Sequence, residues 1–542
     1  MTESLVSAIA DSLAAHRERP AFSDDGGETL TYGEVARQIA RLHAAFRAAH
    51  VKRGDAIALL GRNSSSWATV YLAAVTYGAA IVPILPDFKR DDVHHIVNHS
   101  DAVLFFAADA LAASLDPAAT TALRATLSLA GFRVVSADRD RTARAIEEAL
   151  AAPASPVRFE DVSPGETAAI VYTSGTTGFS KGVVLPHRSL LVNIRFAQRH
   201  MPLQPGDTIV SFLPLAHAFG CAFEFLFPFA SGCAITFVGQ MPAPQVLLRV
   251  FERVKPRLIL SVPLVLEKIY KRQIRPVLEK PVTRVLMKVP GLRQVVAAKV
   301  RNKLVAAFGG SFREIIVGGA ALAPEVEDFL MEARFRLTTG YGMTECGPLI
   351  SYSGWAEHRK RTVGHVIDAL EVRIDSKDPR REPGEVLVRG PNVMSGYYKN
   401  PEATRAAIDA DGWLHTGDLG VLDAEGWLTL RGRSKTILLG PSGQNIYPEE
   451  VEARLNALPY VGESLVLEKE GRLVALVYPD LERVDEKHVG EADLLRILEE
   501  SRVALNASLP SWAAVSRIDL WPEEFEKTPT RKIKRFVYGL PS

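Results

Sequence analysis

The stretch VYTSGTTGFSKGVVLPH, Val171 to His187, decides how the rest of the chain is read. A short apolar run, Ala168 to Tyr172, has the length and composition of a buried strand. It empties into Thr173, Ser174, Gly175, Thr176, Thr177 and Gly178, followed by Lys181 and Gly182. Glycines let backbone N–H groups approach an anion closely, hydroxyls add donors, and the lysine brings a mobile positive charge. The composition therefore suits phosphate. It is not a P-loop, because Ser180 precedes Lys181 and Gly182 follows it, where that motif needs Gly before and Ser or Thr after. A flexible surface turn has the same composition, so the loop acquires meaning only from partners elsewhere in the chain.

On the N-terminal side, TLTYGEVARQIARLHAAFRAAH shows apolar residues at helical spacing after Thr31, a capping residue. DAIALLG (55 to 61), a helical stretch from Trp67 to Tyr77, and AAIVPIL (79 to 85) form a strand, crossover, strand unit, which predicts a parallel sheet. Similar runs recur as TIVSFLPL, AITFVG, RLILSVP and REIIVGG, each followed by a turn, proline or glycines. Several loops should gather at the strand ends, where open α/β sheets place ligands. Ala107 to Pro156 reads as peripheral helices and a connector. After Gly384 short strands and turns follow (GEVLVRG, GWLHTGDLG, GWLTLRGR), and beyond Ser434 a hairpin-like pair, SLVLEKEGRLVALVYP, lies among helical segments. The expected fold class is α/β. A large N-terminal domain, 1–433, has layered α/β subdomains and a small β region; a small, mobile α+β C-terminal domain, 434–542, follows.

Composition narrows the functional classes. The chain has 542 residues, 47% hydrophobic and 23% charged, an ordinary globular balance. With 64 basic against 63 acidic residues there is no global positive field, which argues against nucleic acid as a partner. Cys221, Cys233 and Cys346 have no metal-type spacing and are too few for a disulfide framework, which fits a reducing, cytoplasmic setting. The first twenty residues, with Glu3, Asp11 and polar breaks, lack the basic start and apolar run of a secretory peptide, and no stretch reads as a membrane span. Between Lys268 and Lys303 stand eleven basic residues and one acidic one, Glu279, interleaved with Val, Leu and Met. That reads either as a solvated helical face or as a peripheral contact with the inner face of a membrane.

Four further stretches turn the loop into a system. TTGYGMTE, Thr338 to Glu345, exposes an aromatic ring, a hydroxyl and a carboxylate between glycines. Tyr341 suits stacking on a purine, Thr344 donation to a phosphate, and Glu345 a hard cation such as Mg²⁺. HTGD, His415 to Asp418, presents a carboxylate suited to ribose hydroxyls, and also reads as a plain hairpin turn. GRSKTILLGPSGQNIYPEEVE, Gly432 to Glu452, offers Arg433 and a turn-rich link, and TPTRKIKR, Thr528 to Arg535, carries Lys532 in a basic tail.

Together, in this order, these motifs resemble the adenylate-forming superfamily of acyl- and aryl-CoA synthetases, luciferases and peptide-synthetase adenylation domains. The resemblance runs from about Leu30 to the C-terminus. Within it, Glu279 to Leu330 and the TPTRKIKR ending look like the long-chain fatty acyl-CoA synthetase branch. The resemblance implies ATP with Mg²⁺ and CoA as co-substrates, and a fatty acid as the acid activated. Ser174, Gly175, Thr176, Thr177 and Lys181 would wrap the β- and γ-phosphates, with Thr173 and Gly178 at the ends of the loop. Gly319, Ala320, Tyr341 and Gly342 would frame adenine, Thr344 would meet the α-phosphate, and Glu345 would hold Mg²⁺. Asp418 and Arg433 would bind ribose. His217, in LPLAHAFG, would sit beside the acyl carboxylate, Lys435 at the hinge, and Lys532 would be the adenylation lysine. Two departures stand out: Ser180 and Arg531 occupy positions where many members have proline and glycine.

The implied reaction has two halves, acyl-adenylate formation and then attack by the CoA thiol. Two other readings stay open on sequence. One keeps adenylation with another acceptor, an acyl-carrier-protein thiol or an intramolecular hydroxyl as in β-lactone-forming relatives. The other is a catalytically silent acyl- or nucleotide-binding protein. The apolar text at Ala222 to Ala234 and Val262 to Leu266 reads equally as an acyl tunnel or as core.

Overall fold

In the computed structural model the chain is described except for residues 1–2, 113–115, 117–118, 121, 160, 174–180, 240–243, 440–443, 529–531 and 540–542. Ser174, Gly175, Thr176, Thr177 and Gly178, with Ser180 and Arg531, lie outside the described residues.

The largest sheet has eight strands, in the order Gly396–Tyr397, Lys181–Pro186, Thr167–Thr173, Ala80–Ile84, Ala56–Leu60, Ala102–Ala107, Ala125–Ser128 and Val134–Ala137. Its centre is parallel, as the strand, crossover, strand pattern predicts. The crossover helix Ser65–Tyr77 is buried along nearly its whole length, starts on the Ser64 cap and ends at Gly78 with φ +82. Helix Tyr32–Ala48 starts on Thr31, whose hydroxyl accepts from the Glu34 N–H at 3.2 Å while the Glu34 carboxylate accepts from the Thr31 N–H at 2.8 Å.

One departure from expectation concerns this sheet. The stretch 107 to 156 contributes its last two strands, with Val134–Ala137 at the edge, and not only helices and connector. Thr167–Thr173 and Lys181–Pro186, on either side of the phosphate-type loop, pair antiparallel with Thr173 opposite Lys181.

A second sheet (Thr208–Ser211, Ala234–Phe237, Pro20–Asp24, Thr29–Thr31) and a parallel third (Leu258–Ser261, Glu314–Val317, Leu337–Thr339) carry the remaining apolar runs. Between sheets lies an aromatic core in which Phe22, Phe225 and Phe229 cluster and Trp67 stacks on Tyr71. Ala222, Phe223, Phe225, Leu226, Phe227 and Phe229 are buried in it, so most of the 222 to 234 text is core packing. The small β region is an antiparallel sheet of Glu371–Asp375, Gly384–Arg389, Leu414–Leu422 and Leu428–Arg433.

Beyond residue 434 a separate hydrophobic core forms on the sheet Val461–Lys469, Arg472–Pro479 and Val515–Leu520, with helices Pro448–Leu455 and Glu491–Asn506. The buried Glu452 carboxylate binds Arg535 in a bidentate pair, Nη1 to Oε1 being 2.9 Å, and accepts from the Val466 N–H at 2.8 Å. This fastens the basic tail to its own domain.

The basic stretch divides. Lys271 donates to the Val461 carbonyl at 2.9 Å, Arg275 to the Ala457 carbonyl at 2.7 Å, and Arg272 pairs with Glu482. Its first turns thus hold the C-terminal core, while helices Pro281–Lys288 and Pro290–Ala307 follow one another with only Val289 between them and leave Val282, Val285 and Val295 exposed. Among the described residues no helix is long and apolar enough to cross a membrane.

Candidate active site

The chain is folded so that its widely separated motifs meet at strand ends. Lys181 is half-buried at the foot of the hairpin loop, and its ammonium lies 4.9 Å from the centre of the Tyr397 ring. Tyr397 reaches that position because Gly396–Tyr397 pairs antiparallel with Val184 and Val183. Its hydroxyl donates to Glu345 Oε1 at 2.9 Å. Burial, and then the Glu345 charge, raise the Tyr397 pKa, so the phenol stays a donor. One ring therefore spaces the loop lysine from the acidic residue.

Glu345 sits in a one-turn 3₁₀ helix, Thr344–Cys346, just after the short strand Tyr341–Gly342. A Cβ on Gly342 would lie 2.1 Å from the Pro348 carbonyl oxygen, so only glycine lets this hairpin close. The turn is pinned from below by helix His187–His200. The buried Asn193 amide donates to the Ser189 carbonyl at 2.8 Å and the Cys346 carbonyl at 3.3 Å, and accepts from the Leu349 N–H at 2.9 Å. Asn392 donates to the Leu349 carbonyl at 2.7 Å, and the Met394 N–H donates to the Glu345 carbonyl at 2.7 Å.

Asp418 and Arg433 are register partners on adjacent antiparallel strands, and Arg433 Nε lies 3.0 Å from Asp418 Oδ1. The other carboxylate oxygen, Oδ2, accepts from the Tyr341 hydroxyl at 2.6 Å. Tyr341 is thus buried with its phenol fixed and its ring held beside the glycine turn. HTGD is not a hairpin turn: it lies inside strand Leu414–Leu422, with Gly417 at φ +71, and there the Thr416 hydroxyl accepts from the Asp418 N–H at 3.0 Å and donates to the Val386 carbonyl at 2.7 Å. Glu385 accepts from the Gly417 N–H at 2.8 Å and lies 3.0 Å from His415.

Gly319 and Ala320 are exposed at the end of strand Glu314–Val317, with Gly319 at φ +89. Phe219 packs against neighbouring Gly318, where a Cβ would come within 3.0 Å of its ring, and so joins this turn to the His217 segment. His217 caps the short helix Ala218–Gly220, its Nδ1 accepting from the Phe219 N–H at 3.3 Å. Burial, and then the nearby Lys532 ammonium, push its pKa down to about 4, so the imidazole is neutral at physiological pH.

Lys532 comes from the far end of the chain. The Thr528 N–H donates to its carbonyl at 2.8 Å and its own N–H donates to Thr528 Oγ1 at 3.2 Å, closing the turn that presents it. Its side chain is open to the cleft, yet the ammonium is flanked by enough protein that desolvation lowers its pKa, aided by Arg433 and opposed by Asp418 and Glu345. Lys181, Glu345, Asp418, Arg433, His217 and Lys532, together with Thr344 at the head of the Glu345 turn, converge on one cleft. Lys435 stands apart, exposed in the 3₁₀ turn Ser434–Thr436. Sequence reasoning missed Tyr397, Asn193, Asn392 and Glu385; the Gly396–Tyr397 pair carries no local signal of pairing with a strand some two hundred residues earlier.

The donor set fits a magnesium nucleotide. Magnesium is commonly held by one or two carboxylates plus substrate phosphates, and Glu345 is one carboxylate oriented by the same Tyr397 side chain that the Lys181 ammonium approaches. Among the described residues no cluster of three or more His, Cys, Asp or Glu forms a protein-only metal cage.

The chain is similar to proteins of known activity and structure. Over 94% of this chain and 90% of its own length, the long-chain-fatty-acid–CoA ligase FadD15 of Mycobacterium bovis is 29% identical. The 4-coumarate–CoA ligase 5 of Oryza sativa is 30% identical over 85% of this chain and 81% of its own. ATP-bound MatB from Rhodopseudomonas palustris shares the fold, with a TM-score of 0.78 at 22% identity, covering 99% of this chain and 98% of that one. Residues 9–398 match the model of the AMP-binding enzyme family, and the chain belongs to that family.

Proposed function

We propose that this protein activates a fatty acid, long-chain by preference, to its acyl-adenylate and then to the CoA thioester, releasing pyrophosphate and AMP. The observation that carries the reading is the convergence of Lys532 with Arg433, Asp418, Glu345 and His217 in one cleft. A carboxylate and a triphosphate repel each other as they approach in line. A cation at their junction therefore stabilises the transition state more than the separated anions.

In this reading Lys532 bridges the acyl and α-phosphate oxygens. Lys181 and the loop from Thr173 to Gly178 grip the β- and γ-phosphates, and Thr344 donates to the α-phosphate. Glu345, oriented by Tyr397, would hold Mg²⁺, which would supply neutralisation of phosphate charge. Asp418, held by Tyr341 and Arg433, takes the ribose hydroxyls, while Gly319, Ala320 and Gly342 give adenine a flat approach. Neutral His217 can donate to the acid without adding charge. The C-terminal domain, 434–542, then turns about Lys435, withdraws Lys532 and admits CoA. The enzyme works in the cytoplasm, with peripheral membrane contact through part of Lys268–Lys303. A second reading, an aromatic acid as substrate, is favoured by the likeness to a 4-coumarate–CoA ligase.

The test is pyrophosphate release with Mg·ATP and acids from acetate through palmitate, plus benzoate and 4-coumarate, with and without CoA, and thioesters identified by mass. CoA-dependent turnover rising with chain length supports the first reading, and a maximum with 4-coumarate the second. Pyrophosphate without any CoA thioester would point to another acceptor. Tight ATP binding with no release for any acid would overturn adenylation.

A further inference from the structure

His217 reaches the cleft on a segment, residues 212 to 217, that belongs to no strand or helix and whose backbone is held by two buried side chains. The first is Glu224, fully buried in the π-helical turn Cys221–Leu226. Its Oε2 accepts from the Phe212 N–H at 3.0 Å and from the Leu213 N–H at 2.9 Å. The second is Asn63, which stands between strand Ala56–Leu60 and the Ser64 cap of helix Ser65–Tyr77. Its amide donates to the Leu213 carbonyl at 2.7 Å and to Ser211 Oγ at 3.1 Å, and accepts from the Leu215 N–H at 3.0 Å. The turn then closes on itself, the His217 N–H donating to the Pro214 carbonyl at 3.0 Å and the Cys221 N–H to the His217 carbonyl at 3.0 Å. A Cβ on Gly220 would lie 2.7 Å from the Pro214 carbonyl oxygen, so the start of the π-turn is packed directly on the segment.

Burying a carboxyl and an amide carries a desolvation cost that a leucine at either place would not, and π-turns are rare and gather at functional sites. What the two residues secure is the path of the chain into His217. We propose that Glu224 and Asn63 are positioning residues for acid activation: they fix the 212 to 217 segment and so set the His217 imidazole beside the incoming carboxyl group. The inference rests on the placement of His217 at the acid, proposed above. Burial raises the Glu224 pKa well above the ordinary carboxylate range, the Leu213 and Phe212 N–H groups opposing, so Glu224 is a neutral acid whose carbonyl oxygen is the acceptor. Glutamine supplies the same oxygen in the same shape. A group that transferred a proton would not survive that exchange, whereas a positioning group does.

The test compares Glu224→Leu, Glu224→Gln and Asn63→Asp in the full chain. It reads the KM and kcat for the acid in pyrophosphate release, and the titration of His217 by NMR of histidine-labelled protein, assigned with His217→Gln. In the wild type, burial and the Lys532 ammonium hold the His217 pKa down at about 4. Glu224→Leu strands two N–H groups. It should raise the acid KM about tenfold or more and move the His217 pKa toward about 6.5, the value of a solvated imidazole, with the Kd for Mg·ATP unchanged. Asn63→Asp keeps the acceptor for the Leu215 N–H and loses both donated bonds; it should act in the same way, and decides the matter alone if Glu224→Leu does not fold. Glu224→Gln should return both readouts to wild-type values. A His217 titration that is the same in the wild type, Glu224→Leu and Asn63→Asp overturns the proposal. So does a loss of turnover in Glu224→Gln as deep as in Glu224→Leu. If His217 shifts in the variants while the wild type turns over no acid, the positioning stands and the acid-activation reading falls.

Discussion

The Tyr397 hydroxyl donates to Glu345 at 2.9 Å across a ring whose centre lies 4.9 Å from the Lys181 ammonium. Tyr397 thus gives Glu345 a neutral donor on one side and offers its ring face to the Lys181 ammonium. Tyr397→Phe keeps the spacer and removes the bond. We expect the KM for Mg·ATP to rise about tenfold at nearly constant stability, because one hydrogen bond to a charged group is worth about 1.5 kcal/mol or somewhat more. Titrating pyrophosphate release with Mg·ATP checks this; an unchanged KM would remove Tyr397 from nucleotide binding.

Lys532→Ala should lower acyl-adenylate formation by about 100-fold or more, the scale seen when one preorganised transition-state donor is deleted. Thioester formation from supplied acyl-adenylate and CoA should be nearly unchanged. Equal loss in both half-reactions would assign Lys532 a structural role.

Lys271 and Arg275 hold the C-terminal core through the Val461 and Ala457 carbonyls. Burial lowers the Lys271 pKa to about 8, with Glu267 and Asp480 opposing the fall. Lys271→Ala with Arg275→Ala should slow single-turnover adenylation about tenfold, since each lost bond costs roughly 1 kcal/mol of the docked orientation. Thioester formation, which under the proposed mechanism needs that orientation to be left, should hold steady or quicken. A parallel fall in both steps would show that the contacts serve folding only.

Asn193→Ala removes three hydrogen bonds from a buried amide and strands the Leu349 N–H. A loss of about 2 to 4 kcal/mol is expected from urea unfolding, with a fall in Mg·ATP affinity as the Glu345 turn loosens. Full stability in the variant would mean that the pinning is redundant.

His187 is fully buried, and neither ring nitrogen has a hydrogen-bond partner among the described residues. Burial pushes its pKa down to about 4 from 6.5, the Glu166 charge opposing. Because the folded pKa is the lower one, the unfolded chain binds the extra proton. The penalty is absent above about pH 6.5 and grows as pH falls to about 4, reaching up to roughly 3 kcal/mol. His187→Leu should therefore gain on the wild type in melting temperature at pH 5 relative to pH 7. Parallel melting curves at the two values would contradict the buried-neutral assignment.

How far the sequence reaches depends on where the partner of each residue lies. Thr31 capping a helix and the Val461–Lys469 and Arg472–Pro479 hairpin are legible because their bonds close within a few residues or across one turn. The strand after the phosphate-type loop is not: Lys181 looks like the loop's end until its pairing with Thr173 is seen. Tyr397, Asn193 and Asn392 act through partners tens to hundreds of residues away, and an Asn in a helix or a Tyr after a Gly has no periodicity that announces a role. The basic stretch shows the same limit from the other side, since composition alone cannot separate Arg275, committed to a carbonyl, from Arg284, exposed on the surface.

The two-residue strand Gly396–Tyr397 also closes the open side of the largest sheet, where the Ser395 and Tyr398 N–H groups donate to the Val184 and Gly182 carbonyls. A chain still emerging from the ribosome, or cut before this point, presents that row of carbonyls bare, an invitation to any neighbouring extended segment. The late-arriving tyrosine is thus both a guard against mispairing in the nascent protein and a part of the finished site, which ties completion of the binding cleft to the sealing of its sheet.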